Sequence, residues 1–64
     1  MMYKVKISRE FFVDDVKKYL FWEGDFESKQ DVVWFVERAK RSKKYFYKTY
    51  IKVSRGKNKK YFVF

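Results

Sequence analysis

Residues 28–39 read SKQDVVWFVERA and carry the clearest local signature in the chain. Ser28 and Asp31 have the spacing of a capping box, in which the serine hydroxyl accepts a hydrogen bond from the backbone amide three residues later. Basic residues follow where the negative end of a helix dipole favours cations. We therefore predict a helix from Lys29 to near Ser42. Its apolar stripe would consist of Val32, Val33, Phe35, Val36 and Ala39.

The segment before this helix predicts a strand and a further helix. Residues 2–8 alternate apolar side chains with Lys, the period-2 pattern of a half-buried strand. Apolar residues between Phe12 and Leu20 then recur with helical spacing, which predicts an amphipathic helix ending near Trp22. In an alternative, Asp14 caps a shorter helix and residues 11–13 extend the preceding segment.

The segment after the capped helix is typical of a β-hairpin. Residues 45–54 and 61–64 are rich in aromatic and β-branched side chains, and Gly56 between them can adopt a positive φ. The loop could hold two, three or four residues, and each one-residue slip exchanges the faces of the final strand. That strand is apolar on both sides, so its register stays open. A central place in the sheet, a partner or a dimer contact would each explain the pattern.

Together these elements predict one α+β domain over residues 1–64. The predicted order is β-α-α-β-β, with two helices packed on one face of a three-stranded, mostly antiparallel sheet. A turn at residues 23–27, which contains Gly24, separates the helices. Sixty-four residues suffice for a single domain, and the 47% hydrophobic content exceeds what a disordered segment leaves solvated.

The composition argues against an enzyme, a metal site and a cofactor. The chain contains neither Cys nor His, which removes disulfides, thiolate ligands and the commonest general base. Glu10, Asp14 and Asp15 are close in sequence, but helix-dipole charges explain them better than a metal site does. Nothing in the sequence sets a nucleophile beside a base. We therefore expect a binding protein that is not an enzyme.

No part of the sequence indicates a membrane segment or a secretory signal. The uncharged apolar runs are only a few residues long, whereas a bilayer span needs about 20. The N-terminus alternates apolar residues with Lys, unlike the continuous apolar run of a signal peptide. Absence of cysteine fits a reducing compartment. These features predict a cytoplasmic protein.

Charge is strongly divided along the chain. The net charge is +9, but residues 1–37 carry a net −2 and residues 38–64 carry 11 basic side chains and no acidic one. Such a concentration of like charge costs stability through self-repulsion. We therefore predict that the partner of the C-terminal half is a polyanion.

The hairpin suggests how that polyanion would be bound. Along its first strand, Phe46, Lys48, Tyr50 and Lys52 alternate with a more apolar set that should face the helices. Lysines neutralise phosphates and flat rings stack on bases, so this mixture suits nucleic acid. The basic helix end and hairpin tip could join it in one ridge. The predicted nucleic-acid-binding residues are Arg38, Lys40, Arg41, Lys43, Lys44, Phe46, Lys48, Tyr50, Lys52, Arg55, Lys57, Lys59 and Lys60.

The leading prediction is thus a small DNA- or RNA-binding protein, for a single- or double-stranded target. A winged-helix mode is weaker, because the outward surface of the capped helix is thin and partly acidic. The alternative is an interaction module that inhibits or retunes a larger protein by docking on an acidic surface. A composition rich in Lys, Tyr and Phe is common among early proteins of AT-rich phages, so this role would lie in an infected host cell. Copies could also pair through strand edges, and adsorption to anionic lipid is a third option.

Overall fold

Four antiparallel strands and one α-helix make up the computed structural model, which describes residues 2–64. The sheet order is β2-β1-β3-β4. In chain order the elements are β1 (Tyr3–Val13), β2 (Val16–Phe26), α1 (Lys29–Arg41), a 3-10 turn (Lys43–Tyr45), β3 (Lys48–Arg55) and β4 (Asn58–Val63). The fold is α+β as predicted, but the order is β-β-α-β-β. The prediction of two helices on a three-stranded sheet is wrong.

The predicted first helix is wrong because its residues form a hairpin. β1 continues through residues 11–13, and Asp14 and Asp15 form a two-residue loop between the paired Val13 and Val16. Both aspartates have positive φ, 52° and 65°, as a type I′ turn requires. Aspartate adopts this left-handed region more readily than most residues, so the turn forms without glycine.

The predicted second helix is confirmed as α1. Ser28 Oγ accepts a hydrogen bond from the Asp31 backbone amide at 3.2 Å, and the C-cap is Ser42. Val33, a member of the predicted apolar stripe, is exposed, because only a narrow strip of the helix surface packs on the sheet. The buried residues of α1 are Val32, Val36 and Ala39.

The predicted C-terminal hairpin is also confirmed, with β3 beginning at Lys48 rather than at residue 45. Its loop has two residues, and Gly56 is the first of them, with a φ of 60°. Glycine at this position with positive φ is the arrangement of a type II′ turn. The resulting register directs Phe62 to the helix side and Tyr61 to the other side. β4 is an edge strand, so a central position does not explain its two apolar faces.

The core lies between α1 and one face of the sheet. Central strands β1 and β3 supply the sheet side and α1 supplies the other side, with half-buried aromatic residues around them. The buried apolar residues are Val5, Ile7, Val32, Val36, Ala39, Ile51 and Val53. Because residues 2–64 contain one α-helix, only this face of the sheet is covered. We call the other face, opposite α1, the open face.

A buried arginine closes one end of the core. Arg9 lies on the helix side of β1 and is only 7% exposed. Its Nε donates to Thr49 Oγ1 at 2.9 Å, Nη1 donates to Ser42 Oγ at 2.9 Å, and Nη2 donates to the Ala39 carbonyl oxygen at 2.8 Å. The guanidinium also lies 3.8 Å from the ring centroid of Phe46. Burial lowers the pKa of Arg9, yet a guanidinium stays charged in proteins.

The β1–β2 hairpin projects beyond the rest of the sheet. β3 pairs with β1 only from Lys4 to Glu10, whereas β2 pairs with all of β1. Residues 11–18 therefore form a two-stranded ribbon, and the molecule is elongated, with extents of 42 × 20 × 16 Å. Within residues 2–64, no helix combines the length and the apolar character that crossing a bilayer demands.

Candidate functional site

The open face presents aromatic rings across three strands. The strand registers place Phe21, Ser8, Tyr50 and Val63 in one row, which runs from β2 to β4. Ser8 is small, so a shallow groove runs along the face between the rings of β2 and those of β3 and β4. In the four-stranded part of this face, outside the ribbon, four rings are 41 to 65% exposed: Tyr19, Phe21, Tyr50 and Tyr61.

Lysines surround these rings. By register and alternation, the open face carries six lysines and three carboxylates. Lys6 pairs with Glu23 at 3.6 Å and Lys17 pairs with Glu10 at 2.9 Å. The remaining lysines, which form no ion pair within residues 2–64, are Lys4, Lys48, Lys52 and Lys59. The face is therefore cationic, and its central lysines are available to a ligand.

Glu10 is an acidic side chain within this basic face. It is 6% exposed, and its Oε1 lies 2.9 Å from Lys17 Nζ. This hydrogen bond lowers the pKa of Glu10, with smaller contributions from the Tyr50 hydroxyl and from the charge of Lys48. The same bond raises the pKa of Lys17. Glu10 thus holds Lys17 in place and stays ionised at neutral pH.

The aromatic surface continues toward the ribbon. Phe12 and Tyr47 meet edge to face with ring centroids 5.4 Å apart. Lys17 Nζ lies 5.9 Å and 5.4 Å from these two centroids, within the range of a cation–π contact. Rings and a cation therefore also stand together at the ribbon end of the open face.

Part of the predicted binding set lies on the open face. Lys48, Tyr50 and Lys52 extend from it as the alternation of the hairpin strand predicts, and Lys59 joins them from β4. Phe46 does not lie on the open face. It precedes β3, so the alternation of side chains along that strand does not extend to it, and its ring packs on the helix side beneath Arg9. The prediction that Phe46 is an exposed platform ring is wrong.

The predicted basic ridge is not formed, because its two clusters lie at opposite ends of β3. The helix-end cluster lies beside the start of β3, and the hairpin tip lies beyond its end. Eight strand residues separate them by roughly 24 Å. The helix-end cluster consists of Arg38, Lys40, Arg41, Lys43 and Lys44, and the tip consists of Arg55, Lys57, Lys59 and Lys60.

Two tip residues are also committed to local contacts on the helix side. Arg55 stacks on the Tyr3 ring at 4.9 Å and donates to its hydroxyl at 3.0 Å. Lys60 lies 5.4 Å from the Phe62 ring centroid. Neither of these two side chains lies on the open face. Lys59, in contrast, does.

The sequence prediction missed the contribution of the N-terminal half to the open face. Tyr19 and Phe21 come from β2, and Lys4 and Lys6 come from β1. Lys17, Tyr19 and Phe21 recur with period two, but the residues between them are equally apolar or basic, so no alternation stands out. A helix prediction for the same residues scatters them around an axis and hides their common face.

No three His, Cys, Asp or Glu side chains among residues 2–64 come together as a metal site would require. We compared this chain with protein-family models, with the curated proteins and with the solved structures. None of them matches it.

Proposed function

We propose that this protein binds single-stranded nucleic acid on its open face and is not an enzyme. The observation that carries the proposal is the set of four exposed rings, Tyr19, Phe21, Tyr50 and Tyr61, surrounded by lysines on an uncovered sheet. Unpaired bases stack on such rings regardless of sequence, and lysines neutralise the phosphates and release counterions.

The layout of the rings suits an unpaired strand. Phe21 and Tyr50 stand on strands two apart, so the two ranks of rings are separated by about 10 Å. Lys6 lies on β1 between these ranks and pairs with Glu23, and the unpaired Lys52 faces it from β3. A single strand lying along the groove would thus stack bases on both ranks while its phosphates contact Lys52.

A duplex fits this surface less well. Its bases are stacked on each other, and their faces are closed to protein rings. The exposed surface of α1 includes Asp31 and Glu37, and Arg38 there stacks on Trp34 at 4.6 Å. Carboxylates and an engaged arginine make a poor reading surface for a major groove. We therefore do not retain the winged-helix mode.

Fluorescence anisotropy with labelled 12-nucleotide DNA and RNA strands tests the proposal. We expect single strands to bind more tightly than a duplex of the same sequence, with affinity falling steeply between about 50 and 200 mM salt. Tyr50→Ala should weaken binding by roughly 5- to 150-fold, the range of one base–ring stack. Tyr45→Ala is the matched control, since Tyr45 is 70% exposed but lies outside the sheet.

Polyglutamate separates stacking from charge alone. It offers carboxylates without bases, as an acidic protein surface would. If it displaces the oligonucleotide at equal charge concentration, or if Tyr45→Ala costs as much affinity as Tyr50→Ala, the proposal fails. The alternative of an interaction module for an acidic protein would then be favoured.

A further inference from the structure

We propose that two copies of this chain pair through the free edge of β2, antiparallel about a two-fold axis at Phe21. The two four-stranded sheets would then form one continuous sheet of eight strands. This inference goes beyond nucleic-acid binding and rests on a separate observation, the nature of the two sheet edges.

The two edges differ in how they are protected. β4 has six residues and carries Lys59 and Lys60, and charged lysines discourage edge pairing. β2 has 11 residues, contains no proline and pairs with β1 in one unbroken register, so no bulge twists its edge away. Its middle, Tyr19 to Trp22, is an uncharged apolar run. The lysines of β2, Lys17 and Lys18, lie near the loop, so the apolar middle of this long edge lacks such protection and is a pairing site.

The hairpin geometry identifies the backbone groups that are free. In a two-residue hairpin, the residues flanking the loop, Val13 and Val16, form a hydrogen-bonded pair. The pattern alternates from there, so the even residues of β2 direct N–H and C=O groups toward β1. The odd residues direct theirs outward. These are Lys17, Tyr19, Phe21, Glu23 and Asp25.

This alternation restricts the register of a symmetric dimer. Hydrogen-bonded pairs must join odd residues to odd residues, which also keeps the two open faces on the same side. Phe21 is the middle residue of β2, so an axis centred on it pairs all 11 residues of the strand with those of the partner. Val16 then lies opposite the partner's Phe26. A shift of the centre to Glu23 would set that carboxylate against its own copy, which is destabilising.

Charge and apolar surface complement each other in the centred register. Lys17 faces the partner's Asp25 on the open face, and symmetry repeats this pair of opposite charges. On the helix side, Leu20 faces the partner's Trp22. These two side chains line an apolar groove between β2 and α1, and both are more than 40% exposed in a single copy. The second copy therefore covers surface that one helix leaves open.

Cysteine cross-linking tests the pairing, because the chain has no native thiol. Residues directly opposite in a hydrogen-bonded pair have Cα atoms about 5.5 Å apart, within disulfide range. With oxidised glutathione as the oxidant, Phe21→Cys should therefore form an intermolecular disulfide at micromolar protein. Tyr61→Cys is the matched control: it is exposed to nearly the same extent, 64% against 63%, and lies on the other edge, two residues before Val63, which shares the row of Phe21.

Sedimentation velocity gives an independent measurement. The unmodified chain should sediment as a dimer, with twice the mass of the 8.1 kDa chain. Phe21→Lys places two like charges together on the axis and should therefore sediment as a monomer. Its circular dichroism spectrum should be unchanged. A monomeric unmodified chain at millimolar concentration, or equally fast cross-linking of Tyr61→Cys, overturns the proposal. Both measurements are made without nucleic acid, so their failure leaves the binding proposal unaffected.

Discussion

Arg9→Ala is the most informative single change to the fold. Arg9 joins β1 to the end of α1 and to β3 through three hydrogen bonds, each between residues 30 to 40 positions apart. Alanine removes all three donors. The buried Thr49 hydroxyl then has no donor, whereas the Ala39 carbonyl keeps the Ser42 backbone amide at 3.3 Å and the Ser42 hydroxyl at 3.1 Å. It also removes the guanidinium that covers the Phe46 ring.

The expected cost follows from these acceptors. The Thr49 hydroxyl, a buried acceptor without a donor, costs about 1–3 kcal/mol, and each of the two other lost hydrogen bonds to the charged guanidinium contributes about 1.5 kcal/mol. Lost packing on Phe46 adds to this, whereas relief of the buried charge offsets part of it. We expect a net loss of about 3–4 kcal/mol. A chain of 64 residues has a total stability of about 3–10 kcal/mol, so much of the variant should be unfolded.

Urea denaturation followed by tryptophan fluorescence measures this loss. With a slope of about 1 kcal/mol per molar urea, the midpoint should fall by roughly 3 M. Arg38→Ala is the control: it removes an arginine that is exposed and contacts the Trp34 ring, and it should cost less than about 1 kcal/mol. An Arg9→Ala variant that stays within about 1 kcal/mol of the parent would refute the reasoning.

Three further changes test the local structure. Lys17 lowers the pKa of Glu10 in the fold, so the contribution of Glu10 to the free energy of unfolding is present above the unfolded pKa of about 4.3 and is lost as pH falls through the folded pKa. Thermal melts should therefore show a melting temperature that depends less on acid pH in Glu10→Gln than in the parent. An equal pH dependence in the two proteins would contradict this. Asp15→Gly should raise the free energy of unfolding by about 0.5–1 kcal/mol, because glycine adopts a φ of 65° without strain. Gly24→Ala should cost about 1–3 kcal/mol and alter tryptophan emission, since a Cβ there would overlap the Trp22 indole; unchanged emission and stability would contradict that overlap.

The elements with local chemical signals are predictable from the sequence. The Ser28 cap and the cationic end of α1 mark the helix at both termini, because capping and dipole effects act within a few residues. The aromatic and β-branched run before Gly56 likewise predicts the second hairpin. Lys48, Tyr50 and Lys52 follow from its alternation and lie on the open face.

The first hairpin and half of the open face could not be predicted in this way. Asp14 and Asp15 form a turn that usually has glycine at its second position, so the loop has no strong local signal. β2 carries apolar side chains on both faces, which hides period two and leaves Phe12, Val16, Tyr19 and Leu20 at helical spacing. The burial of Arg9 depends on partners 30 or more residues away, and no short-range pattern predicts such contacts.

The ribbon formed by residues 11–18 has a dynamic consequence. Its backbone has one neighbouring strand, and two-stranded hairpins without a third strand are marginally stable in water. Amide protons along the ribbon should exchange with solvent through local opening, whereas those of Val5 and Ile51 should exchange only through global unfolding. The molecule thus combines a stable four-stranded sheet with a ribbon, carrying Phe12 and Lys17, that opens locally without unfolding of the core.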